Sequence, residues 1–172
     1  HGAKINNKSV GSFGDINAWS FCNDKIMTTG GEGGMITTNN IKLYETAAAF
    51  NNHGKNLKKY NSLSNMSIQR FPYIHDNLGL NYRLTEMQSA LGNYQLKKIN
   101  QWNHLRNRNA NYIIEKVKDL KIVITPKVSK KFTHAFYKLY LTINIEFLKR
   151  GKSRSQIIKS LVDSGVNASF GS

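Results

Sequence analysis

The sequence predicts an α/β protein. Short runs rich in β-branched and aromatic residues alternate with segments of helical periodicity along the chain, and a glycine-rich stretch at residues 28–34 (TTGGEGG) joins two of those runs. A chain of 172 residues can bury a core without disulfides or metals. With 40% hydrophobic and 20% charged residues its composition is ordinary, which excludes intrinsic disorder. No window approaches the roughly 18 apolar residues of a transmembrane helix. The single cysteine, Cys22, excludes a disulfide framework and a multi-cysteine zinc site, and it fits a reducing, cytoplasmic compartment.

Residues 1–15 are rich in Gly, Ser and Asn and read as turns. Residues 16–22 (INAWSFC) form an apolar-aromatic run, expected as a buried strand, and residues 35–38 (MITT) a second strand after the glycines. Asn39 and Asn40 are candidate caps for a helix over residues 41–51, with Gly54 suited to a left-handed residue after its end. Residues 55–79 are polar and irregular, a loop length usual for functional segments. From Leu84 the spacing Leu84, Met87, Leu91, Tyr94 predicts a helix, and a further helix runs through Trp102, Leu105 and Tyr112 to about Asp119, with a bend expected near Ile99 and Asn100. Residues 122–125 are expected as a strand ended by Pro126, residues 134–143 (HAFYKLYLTI) as a long aromatic strand, residues 153–163 as an amphipathic helix capped by Ser153 or Ser155, and residues 166–170 as a last strand. The composition shifts near residue 97, which divides the chain into residues 1–97 and 98–172. The chain begins at His1 without Met and ends just after that last strand, so it is expected to be a piece of a longer protein.

The net charge of +15 and pI of about 10 suggest a partner bearing phosphates, either nucleic acid or a sugar nucleotide. Codon composition is the competing account. Asn, Lys and Ile occur 21, 19 and 16 times, about a third of the chain, as an AT-rich coding sequence favours, and no basic run exceeds two residues. The dispersed pattern favours codon composition over a nucleic-acid surface. Trp19, Phe21, Phe136 and Tyr140 sit in apolar strand patterns and are expected in the core rather than on a base-stacking face.

Among groups that could do chemistry, Lys25 leaves a buried strand and precedes the Thr/Gly stretch. A lysine there can attack a carbonyl once its amine is freed; by itself it is one of 19 lysines, most of them surface groups. The stretch GGEGG could cradle phosphate through backbone N–H groups, or simply turn between two strands. It fits neither the P-loop nor the dinucleotide-binding fingerprint. His1, His53, His75, His104 and His134 lack metal-ligand spacing, so no metal site is expected.

Residues 1–35, which carry H-G, then G-x-x-G-D, then S-F-x-x-x-K, then T-x-G-E-G-G, together with residues 75–92 (HDNLGLNYRLTEMQSALG), resemble the DegT/DnrJ/EryC1/StrS family. That resemblance implies a fold-type I, aspartate aminotransferase-like enzyme dependent on pyridoxal 5'-phosphate (PLP), here in part. Residues 1–97 would be the C-terminal part of the large PLP-binding domain and residues 98–172 the N-terminal part of the small α/β domain. It implies transfer of an amino group, with L-glutamate the expected donor, to a nucleotide-linked keto sugar in amino-sugar or surface-polysaccharide biosynthesis. Lys25 matches the lysine that carries PLP as an internal aldimine, and Ser20 the serine that bonds the PLP phosphate. Asn81 matches an asparagine that reaches the phosphate of the neighbouring subunit in a homodimer with shared active sites. Tyr82 and Arg83 are implied as structural or substrate-side residues. Glu32 lies in the family's turn, and Lys138 falls near a substrate-contact position of some relatives. The pyridine-nitrogen partner, an aspartate, would precede His1, so the segment alone holds half a site and is expected to be inactive. Two alternatives stand beside this reading: a PLP-dependent sugar dehydratase, whose relatives carry histidine where Lys25 stands, and a non-enzymatic basic nucleic-acid-binding protein. No nucleic acid and no membrane are expected as partners.

Overall fold

The structure, a computed structural model, describes residues 1–56, 58, 59, 62 and 74–171. Most of the polar loop expected at residues 55–79 lies outside the described residues. Among the described residues, three small antiparallel sheets and four α-helices of ten residues or more make up the fold. The first sheet joins β1 (Lys4–Ile5), β2 (Lys8–Ser9) and β6 (Phe132–Thr133) in the order β2-β1-β6. In the second, β3 (Asn17–Ser20) pairs with β4 (Gly34–Thr37), with Trp19 opposite Met35 and Ser20 opposite Gly34. The third pairs β5 (Val123–Ile124) with β7 (Thr142–Ile143). Helices α1 (Ile41–Asn51), α2 (Glu86–Leu96), α3 (Ile99–Val117) and α4 (Arg154–Asp163) complete it.

Helix starts follow from side chains that satisfy the free amides of the first turn. Asn40 Oδ1 accepts from the Lys42 and Leu43 amides at 3.0 and 3.3 Å, as expected for a cap before α1. Ser153 and Gln156 form a reciprocal capping box that starts α4. The helix expected from Leu84 begins instead at Glu86, because Thr85 and Gln88 form the same kind of box and Thr85 takes extended geometry. Asn81 therefore has no capping role there. α2 and α3 are separate helices broken at Lys97 and Lys98, two residues before the expected bend.

Two strand expectations are corrected. Residues 134–143 do not form one long strand; only Thr142–Ile143 at its end pairs. Phe136 sits at φ 45°, which no strand admits, and the Arg106 guanidinium from α3 donates to the Phe136 and Tyr137 carbonyls at 3.4 and 3.3 Å. Those carbonyls are satisfied by a side chain rather than by a neighbouring strand. Residues 166–170 form no strand either; the Val166 amide turns back to the Leu161 carbonyl and closes the end of α4, with Gly165 at φ 83°.

Among the described residues, the chain following β3 supplies three of the seven buried apolar side chains. Phe21, Ile26, Met27, Ala49, Ala110, Ala135 and Phe136 are buried. Trp19 is half-buried, stacks on His1 and donates from Nε1 to Thr37 Oγ1 at 3.0 Å. Of the four aromatics expected inside, Tyr140 is the exception, at 48% exposure.

Candidate active site

β3 ends at Ser20, and a tight turn carries the chain to Lys25. The Cys22 amide donates to Ser20 Oγ at 3.4 Å, and the Lys25 amide donates to the Cys22 carbonyl at 3.0 Å. Ser20 is exposed and makes no other hydrogen bond among the described residues, so its O–H is available to an acceptor. Lys25 is half-buried, its side chain 32% exposed.

The stretch after Lys25 is a self-bonded loop seated on α2. The Phe21 carbonyl accepts from the Thr29 amide and from Thr28 Oγ1, and Thr29 Oγ1 donates to the Glu32 carbonyl at 2.9 Å. Thr29 is 1% exposed, so this internal bond removes the cost of burying its hydroxyl. Gly33, at φ 158°, passes so close to that hydroxyl that a Cβ there would collide with it. From α2, Gln95 Oε1 accepts the Thr28 amide at 2.9 Å and Gln88 Nε2 donates to the Glu32 carbonyl at 3.1 Å. A Cβ on Gly92 would come within 2.9 Å of the Thr29 methyl. Residues 88, 92 and 95 share one helix face, and that face locks the glycine turn. Neither glutamine was singled out as a site residue from the sequence; their seven-residue separation, with Gly92 between them on the same face, was the signal that could have found them. Glu32 serves the turn through its backbone carbonyl.

Around Lys25 the structure assembles a charged cluster that the sequence separates widely. The Tyr137 hydroxyl donates to Asp24 Oδ2 in a very short bond, and Lys25 Nζ donates to the Tyr137 oxygen at 3.4 Å. The Lys25 ammonium also lies 4.7 Å from the Tyr137 ring centre and 3.8 Å from Asp24 Oδ1. Lys138 Nζ stands 3.3 Å from Asp24 Oδ2, and the Cys22 thiol donates to Asp24 Oδ1 at 3.2 Å. The bond from Tyr137, then those from Cys22 and Lys138, hold the Asp24 carboxyl well below the usual carboxylate range. The Tyr137 bond raises the Lys25 amine above its ordinary value despite partial burial, with Asp24 adding to the rise. Lys138 is raised in the same way, by Tyr137 first and then Asp24. At neutral pH the cluster is one carboxylate between two ammonium groups.

Asn81 stands apart from this cluster. Residues 74–82 run alongside residues 50–56, with a backbone bridge between Asn81 and Asn52 and Arg83 Nη1 donating to Asn52 Oδ1 at 2.6 Å. The Asn81 side chain is exposed and makes no hydrogen bond among the described residues. The structure thus brings Ser20 and Lys25 into one turn and leaves Asn81 outside it. Tyr82 is exposed and rests edgewise on Phe50, 6.1 Å between ring centres.

The donor set fits PLP. A primary amine is what a carbonyl cofactor needs, and an uncommitted hydroxyl at the end of the same strand is what its phosphate needs. Among the described residues no cluster of His, Cys, Asp and Glu could hold a metal ion, and no helix is long and apolar enough to cross a membrane.

Comparison with known proteins agrees over the whole length. The model of the DegT/DnrJ/EryC1/StrS aminotransferase family matches residues 1–170. The GDP-perosamine synthase of Escherichia coli O157:H7 is 31% identical over 163 residues, covering 94% of this chain and 40% of that protein. The UDP-N-acetyl-3-dehydro-alpha-D-glucosamine 3-aminotransferase of Acidithiobacillus ferrooxidans is 32% identical over 143 residues, covering 83% of this chain and 35% of that one. Among solved structures, the aminotransferase from Psychrobacter cryohalolentis superposes with a TM-score of 0.86 at 40% identity, over 96% of this chain and 43% of that one. The E. coli GDP-4-keto-6-deoxy-D-mannose-3-dehydratase with bound hydrated PLP gives a TM-score of 0.76 at 26% identity, over 95% and 42%. The chain spans about two fifths of the length of the curated relatives it matches. Its fold is that of the fold-type I sugar aminotransferases, and the chain belongs to the DegT/DnrJ/EryC1/StrS aminotransferase family.

Proposed function

We propose that the full-length protein is a PLP-dependent aminotransferase that moves an amino group from L-glutamate to a nucleotide-linked keto sugar. The observation that carries this reading is the lysine amine of Lys25, half-buried on the turn that follows β3, with the Ser20 hydroxyl at the start of that turn. When bound, PLP supplies the electron sink that lets the amino group and its hydrogen move. Lys25 supplies the amine that anchors the cofactor and, once released from it, a group that carries a proton to and from the reacting carbon. The Ser20 O–H donates to the phosphate. Asn81 reaches the phosphate bound by the partner subunit of a homodimer. The division near residue 97, large domain before and small domain after, belongs to the same reading.

The class is tested by chemistry at Lys25. Borohydride treatment of the full-length protein incubated with PLP is expected to fix a pyridoxyl group on Lys25, seen by peptide mass mapping. A pyridoxyl group on another lysine, with Lys25 unmodified, sinks the assignment. Ser20→Ala is expected to weaken PLP retention by about 1.5–3 kcal/mol, the range for a hydrogen bond to a charged group, with the fold intact. Unchanged cofactor loss on dialysis would mean the hydroxyl does not meet the phosphate.

A sugar dehydratase of the same fold is the second reading, favoured by the 34% identity over 126 residues to the GDP-4-keto-6-deoxy-D-mannose 3-dehydratase of E. coli O55:H7. Lys25, where dehydratases of this fold carry histidine, favours transamination. Nitrogen found in the product sugar supports the first reading, and a deoxygenated sugar without it supports the second.

A further inference from the structure

We propose that Asp24 is a positioning residue for Lys25 and acts through the Tyr137 hydroxyl. The inference rests on the assignment of Lys25 above. A tyrosine hydroxyl has one hydrogen to give. Here Asp24 Oδ2 takes it, and the lone pairs of the phenol oxygen are left to face Lys25 Nζ at 3.4 Å. Without the carboxylate, the phenol hydrogen is free to rotate toward the amine, and the two donors then oppose one another. The direct route from Asp24 to Lys25 is longer, 3.8 Å, with the carboxylate half exposed, so the phenol is the better-placed link.

Three parts of the described chain hold the cluster. Cys22 and Asp24 come from the turn that bears Lys25, and Tyr137 and Lys138 from the segment between β6 and β7. α3 contributes Arg106, whose guanidinium fixes that segment by the Phe136 and Tyr137 carbonyls. Lys138 balances Asp24 at the other carboxylate oxygen, 3.3 Å from Oδ2, and lies 5.0 Å from the Tyr137 ring centre. A lysine released from the cofactor once in a transamination, and rejoining it only when the second half is complete, needs a defined place in between, and the Asp24–Tyr137 pair supplies it. The same pair stabilises the protonated amine, as the raised Lys25 value reflects.

The test uses the full-length protein freed of cofactor. Competitive labelling with acetic anhydride over a pH series, read by peptide mass mapping, gives the protonation midpoint of Lys25. It is applied to the wild type, Asp24→Asn, Tyr137→Phe and the double variant; each replacement removes one functional group and keeps the side-chain shape. Each single variant is expected to move the Lys25 midpoint to lower pH, and the double variant to move it no further than Tyr137→Phe. An Asp24→Asn shift of equal size with and without the phenol overturns the proposal, since the carboxylate then acts directly. Unshifted midpoints overturn it too. Borohydride capture of PLP by the wild type is run alongside: pyridoxylated Lys25 with unshifted midpoints removes only the Asp24 proposal, and absence of the pyridoxyl group from Lys25 removes the assignment beneath it.

Discussion

A Lys25→Ala chain and an Asn81→Ala chain, each inactive or severely impaired as a homodimer, are expected to recover activity when mixed under subunit exchange. If Asn81 serves the partner's phosphate, one site of the mixed dimer collects both defects and the other collects neither. Activity then returns to about one site in each mixed dimer. If each site is built within a single chain, every site in the mixture keeps a defect and nothing returns. Turnover measured against mixing ratio decides between them. The geometry that motivates the test is local. Thr85 already caps α2, so helix capping gives no reason for an asparagine at 81. The Asn81 side chain is exposed, with no hydrogen bond among the described residues, while its backbone is pinned to Asn52. Leu78, at 92% exposure, and Met87, at 83%, precede and follow it in the chain and leave apolar surface in the same stretch.

Gly79→Ala is expected to destabilise the full-length protein by about 1–3 kcal/mol, the usual cost of overpacking, and to loosen PLP retention as well. Gly79 crosses the end of α1 with no room for a methyl group. A Cβ would collide with the Gly54 amide nitrogen and lie 2.8 Å from the Ala49 carbonyl oxygen. These are backbone atoms, and they cannot rotate away as a flexible side chain would. Gly54 faces the same crossing at φ +74°, where its own Cβ would meet the Asn77 carbonyl. The added methyl must push residues 77–81 off α1, and Asn81 moves with them. Denaturant unfolding and dialysis of bound cofactor measure the two effects. An unchanged midpoint with unchanged retention would sink the claim that this crossing positions Asn81.

What could be read from the sequence was local or carried by motif. The caps at Asn40 and Ser153 depend on residues within four positions, so their pattern is visible in a short window. Lys25 stands out by its place after a buried strand, and Ser20 only through the family resemblance; the structure puts them on one turn. The failures share a cause at longer range. Residues 134–143 alternate like a strand, yet Arg106, some thirty residues away, takes the carbonyls that a ladder would use. Residues 166–170 have strand composition, but the end of α4 claims the Val166 amide. Asp24 and Tyr137 are 113 positions apart, and no periodicity connects a turn residue to a residue of an irregular segment.

The locking of the glycine turn by α2 also sets an order in time. The Thr28 amide meets Gln95, 67 residues later, and Lys25 meets Tyr137, 112 residues later. Chains leave the ribosome at roughly 5–20 residues per second, so the turn waits about 3–13 s for its glutamine and Lys25 about 6–22 s for its phenol. Until then the nascent chain carries a lysine on an unset loop, with neither the acceptor that shapes the turn nor the oxygen that holds the amine. The anchoring site for the cofactor is therefore one of the last parts of this segment to mature, and a ribosome stalled before residue 95 holds a chain that cannot yet form it.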